Sequence, residues 1–594
     1  MAQQEVARRL DPIEDLVGDL FVDRQEEMAL FWQWGANVPH PMRNSWALIG
    51  RRRTGKTAIL TKLFNRLFWE QEQVLPVFIS FAQFLNRKEP LSSYEFADHY
   101  FTGYMGSYLA FRYRKPILLR EQYNFVQLQQ FATQVNDSFA LDLFEKYKLA
   151  EADTIPFGLV KWVILFPKGV AASQNMPTTI LIDEFQVLTD IYDPVQKIHH
   201  DLTDSFQGAV DTRWAPLLVS GSAVTVLEEE ALGGLLSGRF NHLHLKPLLQ
   251  PYVYELIFRL GQKFKLAIND TLAEAIWQLV GGYPYSVESL LTSRCPAVYR
   301  YPDLEALHEV MVYELSHVDG NLQQHYRREF AKYKEMLNGG QLTKKVMFWA
   351  VKYPDERIDT SRIAETIGVT LEEVNEALFK LNQIDLVYRS GWALFQGISD
   401  PMLRRYIEYN YRQEIESLSH EEAIKDWRHE YNRLRGQMNH LIGHFAEGYL
   451  YAIMSAFDGR TVDGQRYFAT AGPVLLPHFT KIERRSGVVA TGRVFEIDLL
   501  AEYILPNGAG EGLWLVQSKY TQDPANAEAA QAFLVQAEKA AQRKPYAAVT
   551  RWYFAKQGFT AEAAATLQTA GVLTSDLAAF NQLARLLGFV GLPG

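Results

Sequence analysis

Fifteen residues near the start of the chain, "WALIGRRRTGKTAIL" (Trp46 to Leu60), leave it few ways to fold. An apolar run, Trp46 to Ile49, enters Gly50-Arg51-Arg52-Arg53-Thr54-Gly55-Lys56-Thr57, and an apolar-periodic stretch, "AILTKLFNRLF", follows at once. This is the G-x-x-x-x-G-K-[ST] pattern in a strand, loop and helix setting. Its glycines let backbone N–H groups wrap phosphate oxygens, and the new helix N-terminus adds partial positive charge. Lys56 reaches the β- and γ-phosphates, and the Thr57 hydroxyl is a ligand for Mg²⁺. Roughly 0.02 chance matches are expected in a chain of this length at ordinary residue usage. Gly50, Arg53, Thr54, Gly55, Lys56 and Thr57 are therefore the expected nucleotide-binding residues, with ATP and Mg²⁺ as the ligands.

A phosphate loop needs a second acid to hold the metal. "TTILIDEFQVL" supplies one, because Ile180 to Ile182 read as a short buried strand with Asp183 and Glu184 at its C-terminal end. Ligands of parallel sheets sit at that edge. Asp183 is the expected Mg²⁺ partner and Glu184 the base that orients an attacking water. "APLLVSGSAV" is another buried-strand run, and Ser222 at its tip is the expected γ-phosphate sensor.

The ordered set "FVDRQEEM", "GRRRTGKT", "LIDEFQ", "LVSGSAV", "LLSGRFNHLHLKPL" and "GGYPYSV", spanning residues 15 to 290, resembles archaeal-type P-loop ATPases of the STAND/AAA+-related group. The resemblance implies that Asp23 and Arg24 lie near the base or ribose. It also implies that Arg239 is a sensor or finger arginine, and that Tyr283 and Pro284 belong to a lid touching the nucleotide. A guanidinium near the γ-phosphate offsets charge that grows in the transition state, and one supplied by a mobile or neighbouring subunit makes hydrolysis conditional. The resemblance thus brings a homo-oligomer into view.

Between "LPVFISF" and the Asp183 strand lies a long insertion, about residues 85 to 165. Its segment "YEFADHYFTGYMGSYLAFRYRKPILL" interleaves aromatics with arginines. It reads as an added helical layer whose tyrosines are core and rim. A stacking platform for single-stranded nucleic acid or a surface for a protein partner is the competing reading. Residues 251 to 335 read as a helical lid. From residue 336 to about 415, three short helices and a hairpin make a winged-helix layout, with Thr360 or Ser361 and Thr370 as N-caps and Ser390-Gly391 as the turn. The third helix opens with Leu371-Glu372-Glu373 and faces phosphate badly, so a protein hinge is expected rather than a sequence reader.

Residues 416 to 594 close the chain. The helix "NHLIGHFAEGYLYAIM" carries Glu447, the strand "RVFEIDLLAEY" carries Asp498, and the strand "GLWLVQSKY" carries Gln517 and Lys519 on one face. This order resembles a PD-(D/E)XK nuclease core, with Gln517 where the second acid usually stands, and longer members of the ATPase family above continue into such a domain. The resemblance implies Mg²⁺ held by Asp498, the Gln517 amide oxygen and Glu447, with Lys519 polarising water or offsetting transition-state charge. Gln517 removes one negative charge from the usual set, which weakens metal affinity.

Composition is consistent with this plan. The chain has 594 residues, 48% of them hydrophobic, enough for several cores. One cysteine, Cys295, excludes an internal disulfide and a cysteine-based zinc site. No signal-peptide core and no membrane-length apolar run is present, so the expected location is the cytoplasm. A net charge of −9 argues against a basic surface over the whole protein but leaves room for a local groove. The expected fold is therefore α/β and multidomain: a P-loop parallel-sheet ATPase (1–250), a helical lid (251–335), a winged helix (336–415) and a restriction-endonuclease-like α/β domain (416–594). The expected function is ATP-controlled, Mg²⁺-dependent cleavage of nucleic acid, DNA ahead of RNA. The alternative is a non-cleaving ATP switch whose last domain only binds DNA or a protein, with the 85–165 insertion or the winged helix as further protein-docking surfaces.

Overall fold

The computed structural model describes residues 11–15, 17–39, 45–85, 87, 89–152, 156–221, 236–332, 341–352, 357–383, 386–391, 394–416, 446–490, 493–505, 510–521 and 523–592. The chain divides into two compact units, Met1–Pro247 with Tyr333–Ile398, and Leu248–Lys332 with Ser399–Gly594. Among the described residues no helix is long and apolar enough to cross a membrane.

The first unit is built on five strands: β1 (Ser45–Ile49), β2 (Leu75–Ser80), β3 (Thr178–Asp183), β4 (Leu217–Gly221) and β5 (Phe240–His244). They lie in the order β2-β3-β4-β1-β5, and every pairing is parallel. Ala47 to Ile49, Val77, Ile79, Ile180 to Ile182 and Leu217 to Val219 are all buried. Parallel sheets are covered on both faces, which is why these strands read as unbroken apolar runs. Two helices flank the first strand in sequence, α1 (Gln25–Ala36) and α2 (Lys56–Glu70). Helix α2 buries Ile59, Leu60, Leu63, Phe64, Leu67 and Phe68, the i, i+4 stripe that packs on a sheet.

The aromatic insertion is core. Helix α3 (Ser93–Tyr113) is started by a capping box in which the Ser92 hydroxyl accepts from Glu95 N–H and Glu95 accepts from Ser92 N–H. It buries Phe96, Tyr100, Phe101, Tyr104 and Tyr108, with the Phe101 ring 4.4 Å from that of Tyr147. The stacking-platform reading fails for these residues because their faces are already covered by one another.

The segment from 341 to 396 has helices Gln341–Ala350, Thr360–Ile367 and Leu371–Gln383, followed by strands Tyr388–Gly391 and Leu394–Gln396. Two local expectations change. The N-cap of the second helix is Asp359, whose carboxylate accepts from Arg362 N–H at 3.0 Å, rather than Thr360 or Ser361. Gly391 pairs with Leu394, so Ser390 and Gly391 belong to the strand end instead of forming the turn, and 392–393 lie outside the described residues. Thr370 caps the third helix as expected, and Glu373 completes a capping box by accepting from Thr370 N–H at 2.8 Å. One of the acids that disfavour phosphate therefore has a local structural role.

The second unit begins with helices Gln250–Phe264, Asp270–Val280, Pro284–Leu291, Leu304–Ser316 and Asn321–Lys332. The helix Pro401–Glu416, taken from sequence as the end of the winged helix, packs with them: Arg405 Nη1 donates to Leu279 O at 2.9 Å. The sheet that follows has β6 (Phe479–Ala490), β7 (Arg493–Ile504), β8 (Glu511–Lys519), β9 (Ala548–Ala555) and β10 (Leu573–Ser575) in that order. The first two pairings are antiparallel and the last two parallel. A helix at 446–455 precedes it, separated from β6 by a two-stranded sheet (Thr461–Asp463 with Pro473–Leu475) and the short helix Gly464–Phe468, and the helix Ala527–Ala541 joins β8 to β9.

Buried polar contacts join the helices to this sheet domain. Glu255 accepts from Tyr449 Oη at 2.8 Å, Arg259 Nε at 2.7 Å and Val590 N–H at 3.1 Å. Lys556, directly after β9, pairs with Asp270 at 3.5 Å and lies 4.6 Å from the centre of the Tyr520 ring. Breaking one side of a buried pair leaves an uncompensated charge. Within the helices, Glu314 is fully buried and accepts from Ser293 Oγ at 2.6 Å and Leu322 N–H at 3.1 Å. Burial holds its pKa above the usual carboxylate value despite those bonds. The folded state therefore binds this proton more tightly than the unfolded chain, and stability falls as pH rises through the folded pKa. Thermal melts of Glu314→Gln should gain on the wild type as pH rises above the ordinary carboxylate range; a constant difference would remove Glu314 from that balance.

Candidate functional site

Strand β1 ends at Ile49, and the loop that follows bends through left-handed backbone at Arg53 (φ 62°) and Gly55 (φ 98°) before α2 starts at Lys56. Gly55 takes that conformation without a Cβ penalty. Gly50 is required for a different reason: a Cβ there would stand 3.2 Å from Leu245 Cβ, Leu245 O and Thr54 Oγ1. The Lys56 ammonium is folded back on the loop, donating to Gly50 O at 2.6 Å and Arg51 O at 2.8 Å. Thr54 Oγ1 donates to Arg51 O at 2.8 Å. These bonds hold the loop as a closed ring around Lys56.

Parallel pairing of β3 with β4 sets Ile182 beside Val219, so Asp183 falls next to Ser220. Thr57 Oγ1 donates to Asp183 Oδ2 at 2.8 Å, and Ser220 Oγ donates to Asp183 Oδ1. Asp183 is 1% exposed. Burial, reinforced by the neighbouring Glu184 charge, pushes its pKa above the usual value, and the Ser220 and Thr57 hydrogen bonds with the Lys56 charge act in the opposite direction. The Thr57 hydroxyl and the Asp183 carboxylate thus meet at one point, the hard-oxygen donor set that Mg²⁺ takes. Glu184, left-handed at φ 59°, turns out of the strand, and Gln186 Nε2 donates to its Oε2 at 2.5 Å. The geometry suits a general base held in one orientation.

Two residues here escaped the sequence reading. Ser220, not Ser222, touches Asp183; Ser222 lies outside the described residues. The register of two strands decides that, and a single sequence carries no register. Arg51 has one buried guanidinium nitrogen, Nη1, with no acceptor among the described residues. A buried donor of that kind costs free energy unless an oxygen reaches it, and a phosphate oxygen at the loop would satisfy it.

Other expected residues are placed differently. Arg24 is buried and left-handed, donating to Lys246 O at 2.7 Å and Thr54 O at 3.4 Å, so it ties the segment before α1 to the loop and to the chain after β5. Arg239 does not join the site of its own chain. It precedes Phe240, which is level with Ser45 at the opposite end of β1, about 16 Å from the loop at ~3.3 Å per residue. Its guanidinium pairs with Asp211. The sensor role is therefore excluded for the same chain, since an arginine side chain does not span that distance. Pro284 opens the helix Pro284–Leu291 in the other compact unit, where Tyr283 Oη and Ser399 Oγ share a hydrogen bond at 2.9 Å.

In the second unit the pairing of β7 with β8 ends at Leu499 and Val516, and the two strands part there. Asp498 sits in this fork. Its Oδ2 accepts from Gln517 Nε2 at 2.9 Å, Ser518 N–H at 2.7 Å and Ser518 Oγ at 2.9 Å. Gln517 Oε1 is buried with no partner among the described residues. An orphaned acceptor beside a carboxylate fits a divalent cation in part, because the cation would take the amide oxygen and one carboxylate together. The expected set is not assembled as a whole. Lys519 Nζ donates to Pro524 O at 3.1 Å instead of to the fork. Glu447 is buried on the helix 446–455, and among the described residues no three His, Cys, Asp or Glu side chains stand close enough together to hold a metal ion. At 517 an amide donates to Asp498, where a carboxylate would repel it.

No protein-family model and no curated protein matches the chain. Among solved structures it is similar to the Walker-type ATPase of Pyrococcus abyssi, with 16% identity and a TM-score of 0.44 over 65% of this chain and 96% of that one. It is also similar to the ORC2 protein of Aeropyrum pernix, at 10% identity and a TM-score of 0.36 over 66% of this chain and 95% of that one. The RuvB Holliday junction branch migration motor of Thermotoga maritima matches at 13% identity and a TM-score of 0.27, covering 67% of this chain and 96% of that one.

Proposed function

We propose that the protein is an ATPase whose nucleotide state controls a metal-dependent nucleic-acid-cleaving domain at the C-terminus. The contact that carries the first half is Thr57 and Ser220 meeting on Asp183 at the rim beside a left-handed glycine loop. In this reading backbone N–H groups of 50–56 and Lys56 hold the β- and γ-phosphates, and Thr57 with Asp183 holds Mg²⁺. Bound there, Mg²⁺ neutralises charge on the phosphates. Glu184 orients water, and Gln186 fixes Glu184. Arg239, at the far end of the sheet, serves as a finger only for a neighbouring copy, which makes turnover depend on assembly. Arg24 braces the loop, and Pro284 with Tyr283 belongs to the lid.

Support for the second half is the antiparallel run β6-β7-β8, joined through the helix Ala527–Ala541 to parallel β9, with Asp498 and Gln517 in the fork of β7 and β8. DNA is the substrate class of such a core, with Lys519 turning from Pro524 to the scissile phosphate. A second reading, a switch that binds without cutting, draws on the amide at 517 and on the present partner of Lys519. One experiment separates them: incubation of the full chain with single-stranded, double-stranded and branched DNA and with RNA, in Mg²⁺ or Mn²⁺, with and without ATP. Cutting that depends on ATP supports the first reading, and none on any substrate leaves the switch. In both, Lys56→Ala should weaken ATP·Mg²⁺ binding by roughly 100-fold, two lost charge-assisted bonds at about 1.5 kcal/mol each. Titration with a fluorescent ATP analogue measures it, and unchanged affinity would remove the nucleotide assignment.

A further inference from the structure

The pairing of β8 with β9 ends at Lys519 and Ala555, and one further bond, from Lys556 N–H to Lys519 O at 2.9 Å, closes the ladder. Lys519 therefore stands on the last rung, where no later strand pair fixes it. Asp498 and Gln517 are held in the fork by a hydrogen bond to each other, whereas the Lys519 ammonium has a single bond among the described residues, to Pro524 O. Its place depends on what holds the strand end. The two residues next to it there, Tyr520 along the chain and Lys556 across the pair, are both buried. Successive residues face opposite sides of a sheet, and the Tyr520 ring lies 6.2 Å from that of Phe554, the residue before Ala555. Tyr520 is thus on the side of the sheet away from the Lys519 side chain.

A helix from outside the sheet grips that side. Asp270, buried, opens the helix Asp270–Val280. Its Oδ2 lies 3.5 Å from Lys556 Nζ, the Tyr520 hydroxyl hydrogen-bonds the same carboxylate, and Lys556 Nζ stands 4.6 Å from the centre of the Tyr520 ring. The three side chains close on one another. An acid in the first turn of a helix is ordinarily explained by the helix dipole, which an exposed carboxylate serves as well, and Asn269 already caps this helix by accepting from Leu272 N–H at 2.9 Å. Neither reason calls for burial. Burial pushes the Asp270 pKa above its usual value, against the pull of Tyr520 and Lys556, and burial with the Asp270 charge pushes the Tyr520 phenol up, so the phenol stays a donor.

We propose that Asp270, Tyr520 and Lys556 are positioning residues for Lys519: they clamp the end of β8 from behind, and the helix Asp270–Val280 sets where the Lys519 ammonium stands relative to the fork. Lys556 transmits the hold twice, through its backbone N–H to Lys519 O and through its ammonium to Asp270. Displacement of that helix, which belongs to the lid, therefore moves Lys519. That Lys519 then acts on a scissile phosphate rests on the cleavage reading above; the clamp itself does not.

The test reads Lys519 directly. The full chain is treated briefly with acetic anhydride, and acetylation of Lys519 is followed by mass spectrometry against Lys481, an exposed lysine on β6. Two variants loosen the clamp: Tyr520→Phe keeps the ring and loses the hydroxyl, and Asp270→Asn with Lys556→Met removes both charges together, an exchange that leaves no buried charge unpaired. In each, with melting temperature as the control for folding, Lys519 should be acetylated at least ~2-fold faster than in the wild type, the lower end of the worth of one hydrogen bond. An unchanged rate in either folded variant overturns the clamp. Where the wild type cuts DNA, Tyr520→Phe should lower kcat at least ~10-fold with KM moved less than ~2-fold, since a misplacement of about 1 Å costs up to about 100-fold; a loss carried by KM instead overturns the positioning role. A wild type that cuts nothing, with faster labelling in both variants, overturns the cleavage reading and leaves the clamp. Cutting with unmoved labelling does the reverse. A saturating non-hydrolysable ATP analogue should change Lys519 acetylation at least ~2-fold in the wild type and not in the double variant, a coupling modest by allosteric standards; no change in the wild type overturns the link to the lid.

Discussion

Asp183→Asn will lower ATP turnover at saturating ATP and Mg²⁺ by roughly 100-fold or more, the usual scale for removing one preorganised charge-stabilising group, while the protein still folds. The expectation follows from what surrounds the carboxylate. Thr57 and Ser220 each donate to one of its oxygens, and burial leaves it no water. Asparagine keeps one acceptor, and the facing hydroxyl turns to accept from the amide, so the shape and the hydrogen bonds of the strand end survive. The negative charge that draws a divalent cation does not. Turnover by phosphate release, with melting temperature as the control, checks this. Wild-type turnover in a folded variant would mean that the metal is held elsewhere. Ser220→Ala removes only one of the two donors and should have a smaller effect on the same assay.

The second large effect is at the other end of the chain. If the protein cuts DNA as proposed above, Asp498→Asn should reduce cleavage to below roughly 1% of wild type, since among the described residues the β7–β8 fork would then present two amides in place of a carboxylate and an amide. ATP turnover should be unchanged, because Asp498 and the phosphate loop lie in different compact units. Asp498 also accepts three hydrogen bonds, from Gln517 and twice from Ser518. Loss of one such bond to a charged group costs about 1.5–3 kcal/mol, so a lower melting temperature is expected under either reading and does not discriminate. Cleavage does. Gln517→Glu offers a complementary gain: it places a second carboxylate opposite Asp498, and divalent metal should then raise the melting temperature more than it does in the wild type. A variant that responds to metal no more than the wild type would argue for a fork that is purely structural.

Much of this was legible in the chain, and the reasons are local. Strand, glycine loop and helix are consecutive, so "WALIGRRRTGKTAIL" specifies its own geometry: Gly55 is left-handed because the turn into α2 admits few other residues, and Lys56 opens the helix. Asp183 and Glu184 end an apolar strand and were found by that position. The aromatic insertion was legible as core because its rings repeat at helical spacing. Pairing across the sheet is another matter. That Ser220 rather than Ser222 reaches Asp183, that Arg239 stands at the wrong end of β5 for its own loop, and that Gln517 turns an N–H to Asp498 are consequences of register and strand divergence, which bring together residues far apart in the chain, 19 positions for Gln517 and Asp498 and 37 for Ser220 and Asp183. The sequence by itself determined which chemical groups the chain has and where each element starts, since caps, glycines and apolar periods act over a few residues. Only the tertiary structure decided which of those groups meet, because hydrogen-bonded register and packing are set by contacts that local sequence does not encode.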